Sequence, residues 1–98
     1  MIEVRQIDKG DPASFDVIVR EGNGETRHRV TMSDDIYRRL SPGDHPRERC
    51  VEAAFRFLLD REAKEQILAR FDITVISRYF PEFERELPQY LPGRSKMP

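Results

Sequence analysis

Hydrophobic and polar residues alternate through the first third of the chain, which is the pattern of half-buried β-strands. Ile2 and Val4 alternate with charged residues and predict a strand over residues 2–8. The alternation returns over residues 14–21 and again over residues 26–32, after segments rich in turn-forming residues. The pattern therefore predicts an antiparallel sheet of about three strands at the N-terminal end.

The sequence Gly22-Asn23-Gly24 joins the second and third predicted strands. Asn-Gly is the strongest short-range signal for a two-residue type I′ hairpin, because both central residues need a positive φ. We therefore expect Asn23 and Gly24 at the turn. The register that follows pairs Val19 with His28, Val17 with Val30 and Phe15 with Met32, all on one face of the sheet.

Helical spacing takes over after the third strand. Residues 33–35 supply a serine or an aspartate as N-cap, and residues 34–40 predict a short helix that the turn formers at residues 41–43 end. The main helix is predicted over residues 46–60, because its apolar residues recur at helical spacing. Those residues are Val51, Ala54, Phe55 and Leu58, flanked by Cys50 and Phe57.

Three further helices are predicted over residues 62–70, 73–80 and 82–87. The β-branched residues of the middle segment suit a strand by propensity alone. The four-residue spacing of Val75 and Tyr79 instead favours a helix there. The last helix follows a proline, which is well placed in a first helical turn.

The sheet and the helices together predict a single α+β domain over residues 1–92, followed by a loose tail at residues 93–98. The 98 residues carry 17 basic and 18 acidic side chains, a balance that excludes a strongly basic nucleic-acid tail. Cys50 is the single cysteine, so an intrachain disulfide and a thiolate metal cluster are excluded. We expect a protein of the reducing cytoplasm that has no membrane span and no cofactor.

Two segments are packing motifs: residues 48–62, ERCVEAAFRFLLDRE, and residues 77–84, SRYFPEFE. They resemble short uncharacterised bacterial proteins that begin with a β-hairpin. The resemblance covers most of the chain and implies a bacterial, cytoplasmic protein. That family has no assigned activity, so the resemblance transfers no functional residue.

Few side chains suit catalysis or metal binding. Two histidines and one thiol cannot assemble a structural zinc site, and His45 lies in a polar turn before the main helix. His28 is either a general base or pH switch, or a half-buried residue that covers the edge of the core; we favour the second. The acids at residues 34–35 and 82–86 lie at helix starts, where the helix dipole favours them. The sequence therefore predicts no catalytic, cofactor or metal site.

Arginines mark the outer face of the predicted hairpin at Arg20, Arg27 and Arg29. The predicted register sets Arg20 directly opposite Arg27, and like charges that face each other across a ladder are destabilising. Such a face favours an anionic ligand, so binding of nucleic acid or another polyanion is the alternative function. A solvated charged face is the simpler interpretation, and no aromatic residue is available there for base stacking.

Seven of the nine aromatic residues lie between Phe55 and Tyr90. The segment that holds Tyr79, Phe80 and Phe83 is short and broken by proline, so we expect an exposed aromatic patch that binds a protein partner. The leading hypothesis is a small non-enzymatic protein-interaction or regulatory module. Self-association into a homodimer would bury apolar surface that a short chain leaves exposed. An enzyme with an unrecognised site is the third hypothesis.

Overall fold

The structure is a computed structural model that describes residues 1–41 and 45–91. It consists of a four-stranded sheet with helices packed on one face. The predicted α+β class is confirmed. The order of strands in the sheet follows the chain, the first three strands are antiparallel, and the fourth runs parallel to the third. The strands are β1 (Ile2–Asp8), β2 (Ala13–Glu21), β3 (Gly24–Met32) and β4 (Arg70–Asp72), and the helices are α1 (Asp34–Leu40), α2 (Arg47–Leu59), α3 (Val75–Tyr79) and α4 (Phe83–Glu86).

The three predicted strands and most of the predicted helices are confirmed. Helices α1 to α4 match the predictions within one or two residues at each end, and 3₁₀ turns follow at Lys64–Gln66 and Leu87–Tyr90. Ser33 caps α1 as predicted, because its Oγ accepts the Ile36 N–H at 3.2 Å. The predicted helix stop at residues 42–43 and the predicted tail lie outside the described residues.

The predicted helix over residues 62–70 is wrong. After its 3₁₀ turn the segment extends and pairs with β3, which raises the number of strands to four. The Arg29 N–H donates to the Ala69 carbonyl at 2.7 Å, and the Ile73 N–H donates to the Thr31 carbonyl at 2.9 Å. These bonds give partners to backbone N–H and C=O groups on the second edge of β3. Those groups need partners within the protein because the buried side chains of β3 keep water from part of its backbone. This long-range pairing outweighs the local helical spacing.

The hairpin between β2 and β3 reverses one residue earlier than predicted, at Gly22 and Asn23. Glu21 pairs with Gly24, and Gly22 has a φ of 62° whereas the φ of Asn23 is not positive. A positive φ at the first central residue alone is the requirement of a type II′ turn, which selects glycine there. The predicted type I′ turn at Asn23-Gly24 is therefore wrong, and every predicted pair shifts by two residues.

A shift of two residues leaves each side chain on its predicted face, because side chains alternate with a period of two. The inward face of β2 and β3 is buried as expected and packs in one core with the apolar side of α2. The reversal thus changes which residues are neighbours and leaves the core composition as predicted. The observed pairs are Phe15 with Val30, Val17 with His28 and Val19 with Thr26.

The turn geometry predicts different effects of alanine at the two glycines that flank Asn23. Gly22→Ala places a Cβ on a residue of positive φ, so we expect the free energy of unfolding to fall by about 1 kcal/mol. No described atom lies within 4 Å of that Cβ, so the loss is one of backbone conformation alone. Gly24→Ala is the control with little expected change, because its Cβ meets the Lys64 Nζ only at 3.7 Å. Urea unfolding followed by circular dichroism measures both, and a larger loss at Gly24 would contradict the observed turn.

Candidate functional site

The aromatic residues predicted to form one partner surface separate into core and surface. Phe83 is 1% exposed and its ring centroid lies 5.0 Å from that of Phe57, so its predicted place on the surface is wrong. The start of α4 turns this side chain inward, where it completes an edge-to-face aromatic cluster. Phe80 is half-buried at 5.9 Å from the same ring, and Tyr79 is 68% exposed.

Tyr79 and Phe80 line an apolar groove of about 280 Å³ between the end of α2, residues 62–68 and α3. Its floor is buried and aliphatic, whereas Leu68 and Tyr79 at its rim are 48% and 68% exposed. Large apolar side chains that remain exposed around a concave surface mark binding sites. The floor residues are Leu58, Ile67 and Ile76, and the remaining lining residues are Glu62, Gln66, Phe71 and Val75. This surface is named the C-terminal groove.

Glu62 gives the C-terminal groove its charge. The carboxylate is half-buried and forms no ion pair or hydrogen bond with any residue that the structure describes. Burial raises the pKa of the Glu62 carboxyl above its ordinary value. A cation placed at this end of the groove would therefore meet an unpaired carboxylate beside apolar side chains.

Asp72 fixes the turn that leads from β4 into α3. One carboxylate oxygen accepts the Thr31 hydroxyl at 2.6 Å, and the other accepts the N–H and the hydroxyl of Thr74 at 3.1 and 2.7 Å. Asp72 therefore closes the turn that precedes α3, whose N-cap residue is Thr74 and has no side-chain cap bond. These bonds tie α3, and with it the Tyr79 rim of the groove, to the sheet.

Arg61 fixes the other wall, where α2 ends. Its guanidinium pairs with Glu82 at 3.0 Å and with Glu86 at 2.7 Å, and it lies 3.6 Å from the ring centroid of Phe57. The side chain is only 20% exposed, so these pairs are less screened by solvent than ordinary surface pairs. The C-terminal segment is thereby held against α2, while neighbouring Glu62 stays free to face the groove.

The three arginines predicted to bind a polyanion each have an acidic partner. The observed register sets Arg20 opposite Glu25 and Arg29 opposite Asp16, so the predicted pair of facing arginines is wrong. Arg29 contacts Asp16 at 2.6 Å, Arg27 contacts Glu25 at 3.1 Å, and Arg20 contacts both Glu25 and Glu3, at 3.1 and 2.9 Å. Ion pairs within the sheet therefore replace the repulsion between arginines that the predicted register implied.

Two arginines at the ends of one row across the outer face have no ion pair within the described part of the chain. The row runs Arg5, Asp16, Arg29, Arg70 over the four strands, and its two outermost members form no ion pair with the described residues. A cavity of about 400 Å³ lies over this row. The lining includes Glu3 and Asp16 as well as arginines, so its positive charge is partly neutralised.

His28 has a structural place, as the favoured interpretation expected. The residue is 5% exposed, and its ring lies 5.2 Å from the ring of Phe55. Its Nδ1 lies 2.8 Å from the Leu68 carbonyl, which can only accept, so Nδ1 carries a proton and donates. Its Nε2 lies 2.9 Å from the Thr26 hydroxyl. Both ring nitrogens thus have partners, and the Nδ1 bond joins β3 to the segment that precedes β4.

The other candidate groups also have structural partners. Burial raises the pKa of the Cys50 thiol to about 12, which keeps it neutral and unreactive. His45 lies before α2, where its carbonyl accepts the Tyr37 hydroxyl and its Nδ1 lies 3.2 Å from the Ser41 hydroxyl. Asp34 pairs with Arg47 at 2.9 Å. Within the described ranges, no three His, Cys, Asp or Glu side chains come together as a metal site requires.

Sequence reasoning missed the groove because it placed residues 62–70 in a helix. A helix would have carried Ile67, Leu68 and Phe71 on one buried face. In the extended segment Ile67 points to the groove floor and Leu68 remains on its rim. No signal in the sequence singles out Glu62, since Lys64 and Glu65 are charged residues that lie closer to this apolar series.

Comparisons with protein-family models, with curated proteins and with solved structures find no match to this chain. The resemblance of residues 48–62 and 77–84 to short bacterial proteins therefore stays a prediction. Over residues 1–41 and 45–91, no helix combines the length and the apolar character that crossing a bilayer demands.

The environments of Glu62 and Glu65 predict opposite effects of pH on the free energy of unfolding. The raised pKa of Glu62 means that the folded state holds its proton more tightly than the unfolded chain, so stability is lost as pH rises through that pKa. Glu62→Gln removes this loss, and the variant should gain stability relative to the parent protein as pH rises from acid to neutral. Urea unfolding at a series of pH values measures the difference.

Glu65→Gln is the matched control with the opposite sign. A hydrogen bond from Lys64, at 2.8 Å, lowers the pKa of the Glu65 carboxyl, so the parent protein gains stability as pH rises through the unfolded-state pKa. This variant should therefore lose stability relative to the parent protein as pH rises over the same range. Equal pH profiles for the two variants would contradict the burial of Glu62.

Proposed function

We propose that the protein is a small interaction module that takes a segment of a partner protein into the C-terminal groove. The observation that carries this proposal is a half-buried carboxylate, Glu62, which has no partner among the described residues and lies beside the exposed apolar side chains of Leu68 and Tyr79. Tyrosine is enriched at protein interfaces because it combines a large apolar ring with a polar hydroxyl.

The size of the groove favours side chains of a peptide over a larger ligand. Its volume of about 280 Å³ lies just below the range of about 300–1,000 Å³ that is typical of small-molecule sites. The lining is mostly aliphatic and aromatic, so an apolar side chain of a partner gains most by entering it.

The charge of the groove specifies the second feature of the partner. Glu62 has no cation among the described residues, and a basic side chain of the partner would remove the penalty of its burial. The partner segment that fits is therefore an aliphatic or aromatic residue with lysine or arginine close to it in the chain.

A non-enzymatic role fits the same geometry. Acid–base catalysis needs groups whose pKa values are driven apart within one sheltered site. The described groove lining offers a single carboxylate, and the aromatic hydroxyl of Tyr79 stands at its exposed rim. The cytoplasmic location expected from the single cysteine stays a prediction alongside this one.

A random peptide library displayed on phage and selected on the immobilised protein tests the proposed function. We expect the enriched peptides to share an apolar residue with an adjacent lysine or arginine, and their synthetic forms to bind at least about tenfold more weakly to Leu68→Asp and Tyr79→Ala. Glu62→Gln should lose affinity for the basic peptides selectively, because it removes the charge and keeps the shape.

Ile7→Asp is the matched control, because Ile7 is also an exposed apolar residue, 42% exposed, but lies on β1 away from the groove. It should bind the selected peptides as the parent protein does. Selection without enrichment, or peptides whose binding Leu68→Asp leaves unchanged, would overturn the proposal.

Polyanion binding is the second candidate, and the observation in its favour is that Arg5 and Arg70 form no ion pair with any described residue. A phosphate group over this face would have to compete with the carboxylates that already pair with Arg20, Arg27 and Arg29. We therefore expect no binding of fluorescein-labelled single-stranded DNA or RNA, measured by anisotropy in about 20 mM salt. Binding that weakens steeply between about 20 and 200 mM salt would favour this second candidate instead.

A further inference from the structure

Strand β1 is a long open edge of the sheet. It spans seven residues and pairs, among the described strands, only with β2, whereas the opposite edge, β4, has three residues. An exposed edge presents unpaired backbone N–H and C=O groups, which are a template for another strand. A bulge between Gln6 and Asp8 disrupts the ladder at the end of β1, so regular pairing is limited to the residues before it.

The hydrogen bonds to β2 determine which backbone groups face the open edge. The Arg20 N–H donates to the Met1 carbonyl and the Met1 nitrogen donates to the Arg20 carbonyl, both at 2.8 Å, so these residues form a hydrogen-bonded pair. Such pairs alternate along an antiparallel ladder, so the next ones are at Glu3 and Arg5. The N–H and C=O groups of the intervening residues, Ile2, Val4 and Gln6, therefore point to the open edge.

The side chains of β1 are self-complementary around Val4. In an antiparallel pair of two β1 strands with Val4 opposite Val4, Glu3 of each copy lies opposite Arg5 of the other. Arg5 forms no ion pair with the described residues of its own chain, so this charge is available to a second copy. Glu3 pairs with Arg20 through one carboxylate oxygen, which leaves the other free to accept.

The same register joins two exposed apolar residues. This register brings Met1 of one copy beside Ile7 of the other, at the bulge that ends the regular ladder, and these side chains are 74% and 42% exposed in the single chain. They account for half of the four large apolar side chains that are exposed among the described residues. Neighbouring registers lack this match, because centring on residue 3 opposes Glu3 to Glu3 and centring on residue 5 opposes Arg5 to Arg5.

We propose that β1 is a homodimer interface, in which two copies pair antiparallel about Val4 and form one continuous eight-stranded sheet. The outward groups of Ile2, Val4 and Gln6 form the backbone hydrogen bonds across the two-fold axis. The pairing is isologous, so it uses both long edges and closes at two copies. It uses β1 and not the C-terminal groove, and so it does not depend on the proposed function.

Charge exchange at residues 3 and 5 tests both the interface and its register. Arg5→Glu makes both positions acidic and Glu3→Arg makes both basic, so either variant opposes like charges at two pairs in its homodimer. We expect analytical ultracentrifugation of the full chain to show a dimer whose dissociation constant rises about tenfold or more in each variant. An equimolar mixture of the two variants should restore dimers, because each acidic position then meets a basic one.

Two controls keep the outcomes distinct. Arg49→Glu changes an exposed arginine of α2 that also lacks an ion pair among the described residues, and it should leave the dissociation constant unchanged. Leu68→Asp should abolish peptide binding in the groove and leave the dimer intact, so each proposal can fail without the other. Circular dichroism confirms that each variant folds.

A parent protein that is monomeric at about 1 mM, near the weak end of specific association, would overturn the dimer proposal. The proposal also fails if Arg49→Glu raises the dissociation constant as much as Arg5→Glu does. It fails as well if an equimolar mixture of the two charge variants stays monomeric. Loss of the dimer in Leu68→Asp would place self-association in the groove and would likewise overturn the β1 interface.

Discussion

The pairing of β4 with β3 is the interaction on which the rest of the structure depends. Two backbone hydrogen bonds, from Arg29 to Ala69 and from Ile73 to Thr31, hold residues 69–73 against the sheet. The His28 ring and the Asp72 carboxylate reinforce the same junction from opposite sides of β3. Without this parallel pairing, the local spacing of apolar residues would favour a helix over residues 62–68. The groove between this segment and α3 would then not exist. The same pairing shortens one sheet edge to three residues and leaves β1 as the long one.

Periodicity predicts which side of an element is buried, and it does so here for β2, β3 and α2. It cannot decide between registers that differ by two residues, because both place the same side chains in the core. The turn decides that question, and glycines on both sides of Asn23 allowed two different reversals. The observed one requires a single residue of positive φ, at Gly22, whereas the type I′ alternative requires two. Local signals of comparable strength therefore left the register open.

Strand β4 could not be predicted from the local sequence, and the cause differs from that of the turn. Three residues, Arg70–Asp72, are too few to show an alternation, and their partner lies about forty positions earlier in the chain. Such a pairing is stabilised by the backbone requirements of β3, which no pattern within residues 62–72 reveals. The candidate site shares this limit, since Tyr79 and Phe80 were identified from their aromatic character, but the groove they line is completed by Leu68 and Glu62 from the mispredicted segment.

Register also determines what the arginines of the sheet can do. A difference of two residues converts an Arg20–Arg27 repulsion into Arg20–Glu25 and Arg29–Asp16 attraction, with no change in composition or in the exposed face. Net charge and arginine content are therefore poor guides to polyanion binding when cross-strand neighbours are unknown. Among the described residues, Arg5 at one end of the row and Arg70 at the other form no ion pair, and both lie on edge strands, where each has a cross-strand neighbour on one side only.

The two proposed surfaces lie at opposite edges of the sheet, and this arrangement has a geometric consequence. If two copies join through β1, their β4 edges lie at the far ends of eight strands, roughly 34 Å apart at the usual strand spacing of about 4.8 Å. Each edge carries its own groove, through Phe71 of β4, so the dimer would present two equivalent sites. A partner with two matching segments gains effective concentration only if its linker spans that separation. Dimerisation would then select partners by the spacing of their binding segments, a property that neither the groove nor the edge strand has alone.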